Sequence, residues 1–327
     1  MSVLLSDLKF YGSATMADDD TTTAVGGAID TSKKIMFTDL NGLFQVISSN
    51  SGDTIQTITV HYRDTAGVKQ NEVKTLNGTT AVTYAATMAL IMKAIKSATT
   101  TGDVAVEAQT AERSNTAQSG TATTIVLDAS ASAVDDFYNG MLIRLTGGTG
   151  SGQIREIYDY IGASKTAYVD RAWGTNPDVT STFRIAKGVV FEKSPVEIYT
   201  ARRLYFDATA NTAGGATKKF YDKFFIKNAH GSLSLTSAQI KEITDASGLN
   251  AFALETTLDG TGTNGGGNNR LVAPVTGVGS FDSTDKNVAT GTLSFGTAQG
   301  VWGELTLAGG ATRQQTTWKL RITGGTI

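Results

Sequence analysis

The stretch GMLIRLTGGTGSGQIREIYDY, residues 140–160, decides between two folds. Two of its glycines have the spacing of a phosphate-binding loop, G-x-x-x-x-G-K-[ST], which joins a parallel strand to a helix. Gln153 and Ile154 stand where that motif has the lysine and hydroxyl that bind phosphate and Mg²⁺. The residues that follow alternate with period two and include Ile and Tyr without a helix cap. The stretch therefore predicts an antiparallel hairpin with its tip at residues 147–152.

The same period-two alternation recurs on both sides of this hairpin. Ile58, Val60 and Tyr62 fall on one face of a predicted strand, and the turn signal DTAG, residues 64–67, predicts a second hairpin. From residue 189 onward, short β-branched and aromatic runs follow at regular spacing, which is typical of a β-sandwich. The predicted fold class is mainly β, with several antiparallel β-barrel or β-sandwich units.

One segment predicts a helix within this β-rich chain. YAATMALIMKAIKSA, residues 84–98, has apolar side chains at helical spacing. They are Ala85, Met88, Ile91, Met92 and Ile95. The methionines are interpreted as core residues. A second segment, TSAQIKEI, is open to two interpretations: Thr236 with Gln239 resembles a helix capping box, whereas the neighbouring strands favour another strand.

Shifts in composition predict three domains. They are an N-terminal arm plus an α+β domain at 1–112, a small antiparallel β-domain at 113–188, and an Ig-like or jelly-roll-like β-sandwich at 189–327. Residues 2–30 have little apolar periodicity and are interpreted as an extended arm or long loop, and residues 112–123 as a linker. The glycine-rich run DGTGTNGGGNNR, residues 259–270, predicts a mobile surface loop.

Composition excludes several classes of protein. The chain has 327 residues, and its 28 Lys and Arg nearly balance its 30 Asp and Glu, so we expect no nucleic acid partner. It has no cysteine, which excludes disulfides and thiolate chemistry. Its opening, MSVLLSDLKF, has no basic leader, and no apolar run approaches the roughly 18 residues that span a bilayer. We expect a protein that is made in the cytoplasm and does not bind a membrane.

Candidate catalytic residues are few. His61 lies on the polar face of a predicted strand and His230 in a predicted turn, and neither belongs to a nucleophile or metal motif. Asp135 and Asp136 suggest a glycosidase pair, but adjacent residues on a strand point to opposite faces, and we interpret them as a solvated turn. We therefore expect no catalytic residue, no bound cofactor and no enzymatic activity.

Two further groups of residues were considered as binding sites. The run Asp18, Asp19 and Asp20 suggests a cation site, but consecutive acids on an extended chain usually form a solvated patch. The tryptophans at 173, 302 and 318 suggest sugar stacking, but each lies in or beside an apolar strand-like run, so we expect them to be buried. No metal site is predicted.

Residues 140–185 resemble a module that recurs in structural proteins of tailed bacteriophages. Its pattern is G-T-G-x-G-Q-x-R-x-I, an aromatic residue, and then V-x-x-x-W-x-x-x-P-D. The matching residues are Gly150, Gly152, Gln153, Arg155, Ile157, Tyr158, Val169, Trp173, Pro177 and Asp178. GGAID at residue 26 and the segment 48–82 also resemble the N-terminal part of virion proteins encoded near phage capsid genes.

This resemblance implies a virion location and a non-enzymatic function. The expected role is that of a decoration or cement protein, which binds the outer surface of the capsid and stabilises it. Its expected partners are the major capsid protein and copies of itself, and capsid three-fold sites suggest a homotrimer. The alternative is a tail, baseplate or head-fibre protein that binds a receptor or glycan through the loops at 147–152 and 259–270.

Overall fold

The computed structural model groups the chain into two compact units. Unit 1 comprises Met1–Ile35 and Arg202–Ile327, and unit 2 comprises Met36–Ala201. The residues that the structure describes are 3, 7–16, 25–36, 40–194, 197–200, 215–245, 247–264, 270–274, 276–310 and 318–326. The predicted domain boundaries after residues 112 and 188 both lie inside unit 2, and the three-domain division stays a prediction.

The described residues form 24 β-strands, one short 3-10 turn at Ala289–Gly291, and no α-helix. In chain order the strands are β1 (Leu8–Ser13), β2 (Ile29–Ile35), β3 (Phe44–Ser48), β4 (Thr57–Arg63), β5 (Lys69–Thr75), β6 (Val82–Thr83), β7 (Leu90–Lys96), β8 (Val104–Ala108), β9 (Arg113–Thr116), β10 (Ser119–Gly120), β11 (Thr124–Val126), β12 (Leu142–Gly147), β13 (Ile154–Ile161), β14 (Thr166–Val169), β15 (Thr182–Ala186), β16 (Gly188–Phe191), β17 (Glu197–Tyr199), β18 (Lys218–Asn228), β19 (Leu235–Asp245), β20 (Asn250–Leu258), β21 (Lys286–Asn287), β22 (Thr292–Leu293), β23 (Ala298–Leu307) and β24 (Trp318–Thr326). The predicted mainly β, antiparallel fold class is confirmed.

Unit 1 contains two antiparallel sheets. The first has the strand order β20-β23-β18-β1-β2, and in the second β19 pairs with β21, β22 and β24. Strand β18 is buried at every position from Phe220 to Phe225, so both of its faces are covered, and this accounts for its long apolar run. The segment 236–243 lies in β19, which decides its two interpretations in favour of a strand.

The prediction of an extended N-terminal arm is wrong for the part of residues 2–30 that the structure describes. Strand β1 pairs with β18 from Leu8 opposite Asn228 to Gly12 opposite Phe224, and β2 pairs with β1. The described residues of the arm are thus built into the sheet of their own chain. The two strands show little apolar periodicity because their only buried residues are Gly12 and Ser13 in β1 and Ile35 in β2.

Unit 2 contains a core between two groups of strands. Its strands β17-β7-β4-β5 and β16-β8-β3-β6 contribute the buried side chains, among them Phe44, Val60, Ile91 and Val106. The predicted hairpin of β4 and β5 is confirmed, because Thr57 pairs with Thr75 and Arg63 with Lys69 across the 64–67 turn.

The predicted helix at 84–98 is wrong. Residues 90–96 form β7, which pairs with β4 on one side and β17 on the other. Leu90, Ile91 and Met92 are consecutive and all buried, so the strand is covered on both faces. Such a strand carries apolar residues at helical as well as strand spacing, and its periodicity does not distinguish the two structures.

The remaining strands of unit 2 form a seven-stranded antiparallel sheet. Its order is β10-β11-β14-β13-β12-β15-β9. Within the described residues its two edge strands do not pair with each other, so the sheet is not a closed barrel. Its core includes Ile143, Tyr160, Trp173 and Phe183. The predicted linker at 112–123 is wrong, because β9 and β10 form the two edges of this sheet. Edge strands with exposed side chains have little apolar periodicity.

A buried carboxylate connects two loops of unit 2. Asp53 accepts hydrogen bonds from Ser48 Oγ at 2.6 Å, Thr101 N at 2.9 Å and Gly102 N at 3.0 Å. Burial opposes the charged form of Asp53, but these hydrogen bonds outweigh it and hold its pKa below the usual value. The ionised form therefore stabilises the fold above about pH 4, and this contribution is lost as the pH falls through the pKa of the folded state.

We expect Asp53→Asn to destabilise the protein more at pH 7 than at pH 3. At pH 7 the substitution removes a charged acceptor of three hydrogen bonds, whereas at pH 3 the native carboxyl has lost part of its advantage. Urea unfolding of both proteins at the two pH values measures the difference. An equal loss of free energy of unfolding at pH 3 and pH 7 contradicts this account.

Candidate functional site

The hairpin of β12 and β13 lies at the centre of the motif at residues 140–185. Ile143 pairs with Arg155, and the strands close with a hydrogen bond from Gly152 N to Leu145 O at 2.9 Å. Gly148, Gly150 and Gly152 have φ values of 70°, 77° and 91°, in the left-handed region that favours glycine. The predicted hairpin is confirmed, and its glycines serve the turn.

Gln153 forms hydrogen bonds that connect the hairpin tip, residues 147–152, to a neighbouring loop of the same unit. Its Nε2 donates to Gly150 O at 3.0 Å and to Thr175 O at 2.8 Å. Its Oε1 accepts from Gly174 N at 2.5 Å and Thr175 N at 3.3 Å. All these partners are backbone groups of residues 150–175, so the glutamine of the motif holds the module together.

The P-D part of the motif forms a turn against the same tip. Asp178 Oδ1 accepts from Thr180 Oγ1 at 2.6 Å and from Thr180 N at 2.8 Å. These bonds hold the pKa of Asp178 below its usual value. Ser181 Oγ donates to Thr149 O at 2.7 Å. The 178–181 turn and the hairpin tip therefore form one hydrogen-bonded structure.

Arg155 and Trp173 of the motif form a stacked pair. The guanidinium carbon of Arg155 lies 5.2 Å from the centre of a Trp173 ring. Arg155 Nη2 donates to Ala172 O at 2.7 Å. Trp173 Nε1 donates to Thr124 O at 3.2 Å, which anchors the ring to β11. Asp103 accepts from Arg171 Nη2 at 2.6 Å and from Arg155 Nη1 at 3.3 Å, and so neutralises part of this positive charge.

An exposed apolar patch lies on the same module. Val134, Phe137 and Ile161 are 63%, 44% and 38% exposed, and we call these three residues the apolar patch. Their two segments are joined by hydrogen bonds from Asp136 N to Tyr160 O at 2.9 Å and from Gly162 N to Asp135 Oδ1 at 2.8 Å. These hydrogen bonds bring the segment that carries Val134 and Phe137 beside the end of β13 that carries Ile161.

Asp135 and Asp136 bind groups of their own turn. Asp135 Oδ1 accepts from Gly162 N, and Asp136 Oδ1 accepts from Asn139 Nδ2 at 2.8 Å. Asp136 has a φ of 63°, a conformation that Asp tolerates better than most residues. The arrangement orders the segment that presents Phe137.

The two histidines belong to different units. His61 is half-buried in β4 of unit 2. His230 lies in a turn of unit 1, where its Nδ1 accepts from Leu233 N at 2.9 Å and from Ser232 N at 3.0 Å. These bonds use Nδ1 as the acceptor and order the turn.

The three tryptophans lie among the described residues, whereas the acidic run at 18–20 does not. Trp173 and Trp302 are buried, as predicted, and Trp318 Nε1 donates to Glu242 Oε2 at 2.8 Å. Asp18, Asp19 and Asp20 lie outside the described residues. In the described part of the chain, no group of three or more His, Cys, Asp or Glu side chains could hold a metal ion.

The prediction of a surface loop at 259–270 is wrong for several of its described residues. Gly260, Asn264 and Arg270 are buried, while residues 265–269 lie outside the described part. Gly27 N donates to Gly262 O at 2.9 Å, which ties the loop to the segment before β2.

Buried charged side chains of unit 1 were not singled out from the sequence. Lys223 pairs with Glu255 and Asp222 with Arg270, and all four side chains are almost fully buried. The available signal is the composition of β18, KKFYDKFFIKN, in which two charged residues interrupt an apolar run long enough to be buried on both faces.

Among the described residues, no helix has the length and apolar character that crossing a bilayer requires. The chain matches no protein-family model, no curated protein and no solved structure.

Proposed function

We propose that this protein is a non-enzymatic bacteriophage virion protein that binds the outside of the capsid and stabilises it. The observation that carries the proposal is the assembly of the resemblance motif into one structure. Gln153, Arg155, Trp173 and Asp178 all bind within residues 103–181, although the motif extends over several strands and loops. The motif residues thus all hold the same part of the fold together, which supports the interpretation of the motif as a recurrent folding module.

The apolar patch is the proposed surface for the major capsid protein. Burial of exposed apolar area on binding contributes roughly 25 cal/mol per Å² before the costs of association. A capsid repeats the same binding site many times, and contacts between copies of the decoration protein add avidity to a weak single contact. Distributed binding of this kind stabilises the shell because it binds the assembled form alone.

The test uses capsids of the source phage that lack the protein. We expect the purified protein to cosediment with these capsids and to raise their melting temperature. Val134→Asp and Phe137→Asp place a charge in the patch and should weaken binding by about tenfold or more, since each buried unpaired charge costs at least about 1.4 kcal/mol. Ile55→Asp is the matched control, because Ile55 is 82% exposed in unit 2 and lies outside the patch.

The outcomes separate the surface from the function. If the patch variants bind the capsids as well as Ile55→Asp does, the contact lies on another surface. A native protein that neither binds these capsids nor raises their melting temperature contradicts the decoration function itself. Electron microscopy of virions with a labelled copy then tests the tail, baseplate or head-fibre alternative, which requires label away from the capsid surface.

A further inference from the structure

A lysine and a glutamate form an ion pair inside unit 1 with no access to solvent. Lys223 Nζ lies 2.7 Å from Glu255 Oε1, and the two side chains are 0% and 1% exposed. Lys223 is on β18 and Glu255 on β20, and β23 runs between these two strands. The pair therefore crosses the middle strand of the three.

Three glycines make room for the Glu255 carboxylate. A Cβ at Gly300 would lie 2.2 Å from Oε2, one at Gly260 2.4 Å from Oε2, and one at Gly262 2.6 Å from Oε1. A side chain at any of these positions would overlap the carboxylate, since real Cβ contacts are not this short. The loop 260–262 and β23 thus enclose the carboxylate beside the lysine.

The two carboxylate oxygens have different surroundings. Oε1 accepts from Lys223 Nζ and from Gly262 N at 2.9 Å, whereas Oε2 is buried without a hydrogen-bond partner in the described part of the chain. Lys223 Nζ also donates to Gly27 O at 2.7 Å and lies 4.6 Å from the centre of the Phe225 ring. Oε1 is therefore held and polarised by two hydrogen bonds, whereas Oε2 has no hydrogen bond in the described part of the chain to stabilise its charge.

We propose that Lys223 and Glu255 condense to an intramolecular amide bond that joins β18 to β20 across β23. The site holds the amine against the carboxyl group, excludes water and positions Gly262 N on one carboxyl oxygen. This cross-link is independent of capsid binding, and it would strengthen unit 1 whatever the protein's partners are.

The condensation needs no other reactant. One proton passes from the Lys223 ammonium to Glu255 Oε1, the oxygen that Nζ contacts, which gives a neutral amine and a neutral acid. The nitrogen lone pair attacks Cδ, and negative charge develops on Oε2, while Gly262 N–H holds the hydroxyl at Oε1 in place. A second proton passes from nitrogen to the hydroxyl at Oε1, the C–O bond breaks, water leaves, and Oε2 becomes the amide oxygen. The amide nitrogen keeps the third proton.

Burial favours the neutral reactants and the neutral product of this reaction. Burial lowers the pKa of Lys223, against the opposing effect of Glu255, and so favours the amine that attacks. Two buried ions are costly even where Lys223 Nζ also donates to the backbone oxygens of Gly27, Gly260 and Gly262, and condensation replaces both ions with one neutral amide. The fold holds the reacting groups together, which removes the entropic cost of their encounter, and excludes the water that would reverse the reaction.

Intact-mass measurement of the soluble full-length protein under denaturing conditions tests the proposal. We expect a mass one water lower than the sequence requires. Tryptic digestion of the denatured protein should leave the bond after Lys223 uncut and yield a branched peptide. That peptide joins residues 220–227 to residues 242–270, because Lys219, Lys227, Lys241 and Arg270 are the flanking cleavage sites.

Two controls accompany this measurement. Lys96 is an internal one: it is equally buried, but its Nζ donates to Thr100 Oγ1 and to two backbone carbonyls, so trypsin should cut after it. Lys223→Arg keeps the charge, removes the nucleophilic amine and should have the full mass of its sequence. A native protein with the full mass and normal cleavage after Lys223 overturns the proposal and leaves an unmodified ion pair.

Discussion

Gly148→Ala is expected to lower the free energy of unfolding by about 3–5 kcal/mol, through two physical effects at the hairpin tip. Gly148 has a φ of 70°, which costs an L-residue about 1–2 kcal/mol. An added Cβ would also lie 1.9 Å from Thr180 O and 2.4 Å from Thr180 C. Both of these atoms are backbone, so relief of the overlap requires the 178–181 turn to move away from the tip.

Gly140→Ala separates the two effects in the same module. Gly140 has a φ of 75°, but no atom lies within 4 Å of an added Cβ. This control should therefore lose only the conformational cost of about 1–2 kcal/mol. Urea denaturation of the three proteins gives the comparison. A loss at Gly148 no larger than that at Gly140 would mean that the tip and the turn do not pack as described.

The β12–β13 hairpin could be predicted because its signals are local. Glycines at the tip, period-two alternation in the strand after it, and the missing lysine and hydroxyl of a phosphate loop all lie within residues 140–160. The side chains that surround it could not be placed this way. Gln153 binds Gly174 and Thr175, and Arg155 stacks on Trp173, which are contacts across about twenty residues of chain.

The errors in the fold prediction have one physical origin. Apolar and polar residues alternate along a strand only when one of its faces is buried and the other is exposed. A strand that is buried or exposed on both faces lacks this pattern. Strand β7 is buried on both faces and was mistaken for a helix, whereas the edge strand β9 is mostly exposed and was mistaken for a linker. Strand β4, with Ile58, Val60 and Tyr62 buried in alternation, was predicted correctly.

The candidate site was only partly accessible to sequence reasoning. The motif residues were identified, but the apolar patch depends on Asp135 and Asp136, whose hydrogen bonds set residues 134–137 beside β13. In the sequence, two adjacent carboxylates suggest a catalytic pair or a solvated turn, and nothing in it indicates their effect on Phe137. Similarly, the buried charges of unit 1 depend on β18 and β20, which come from distant parts of the chain and both pair with β23.

Arg270→Met is expected to destabilise unit 1 by about 3–5 kcal/mol. The Arg270 guanidinium forms an ion pair with Asp222, and both side chains are almost fully buried. The substitution removes the positive charge that pairs with the buried Asp222 carboxylate, while Lys223 N still donates to Asp222 Oδ1 at 2.8 Å, and methionine's apolar contacts offset the lost ion pair only slightly. Because Tyr221 N donates to the backbone oxygen of Arg270, the substitution leaves that main-chain contact available.

Lys241→Met is the matched control in the same unit. Lys241 pairs with Asp285 at 2.6 Å, but these side chains are 29% and 51% exposed, and exposed pairs contribute less than about 1 kcal/mol. The double variant Asp222→Leu with Arg270→Met should recover much of the loss, because it removes both buried charges. Chemical denaturation of all four proteins measures these differences. Equal losses for Arg270→Met and Lys241→Met would contradict the larger contribution expected of the buried Asp222–Arg270 pair.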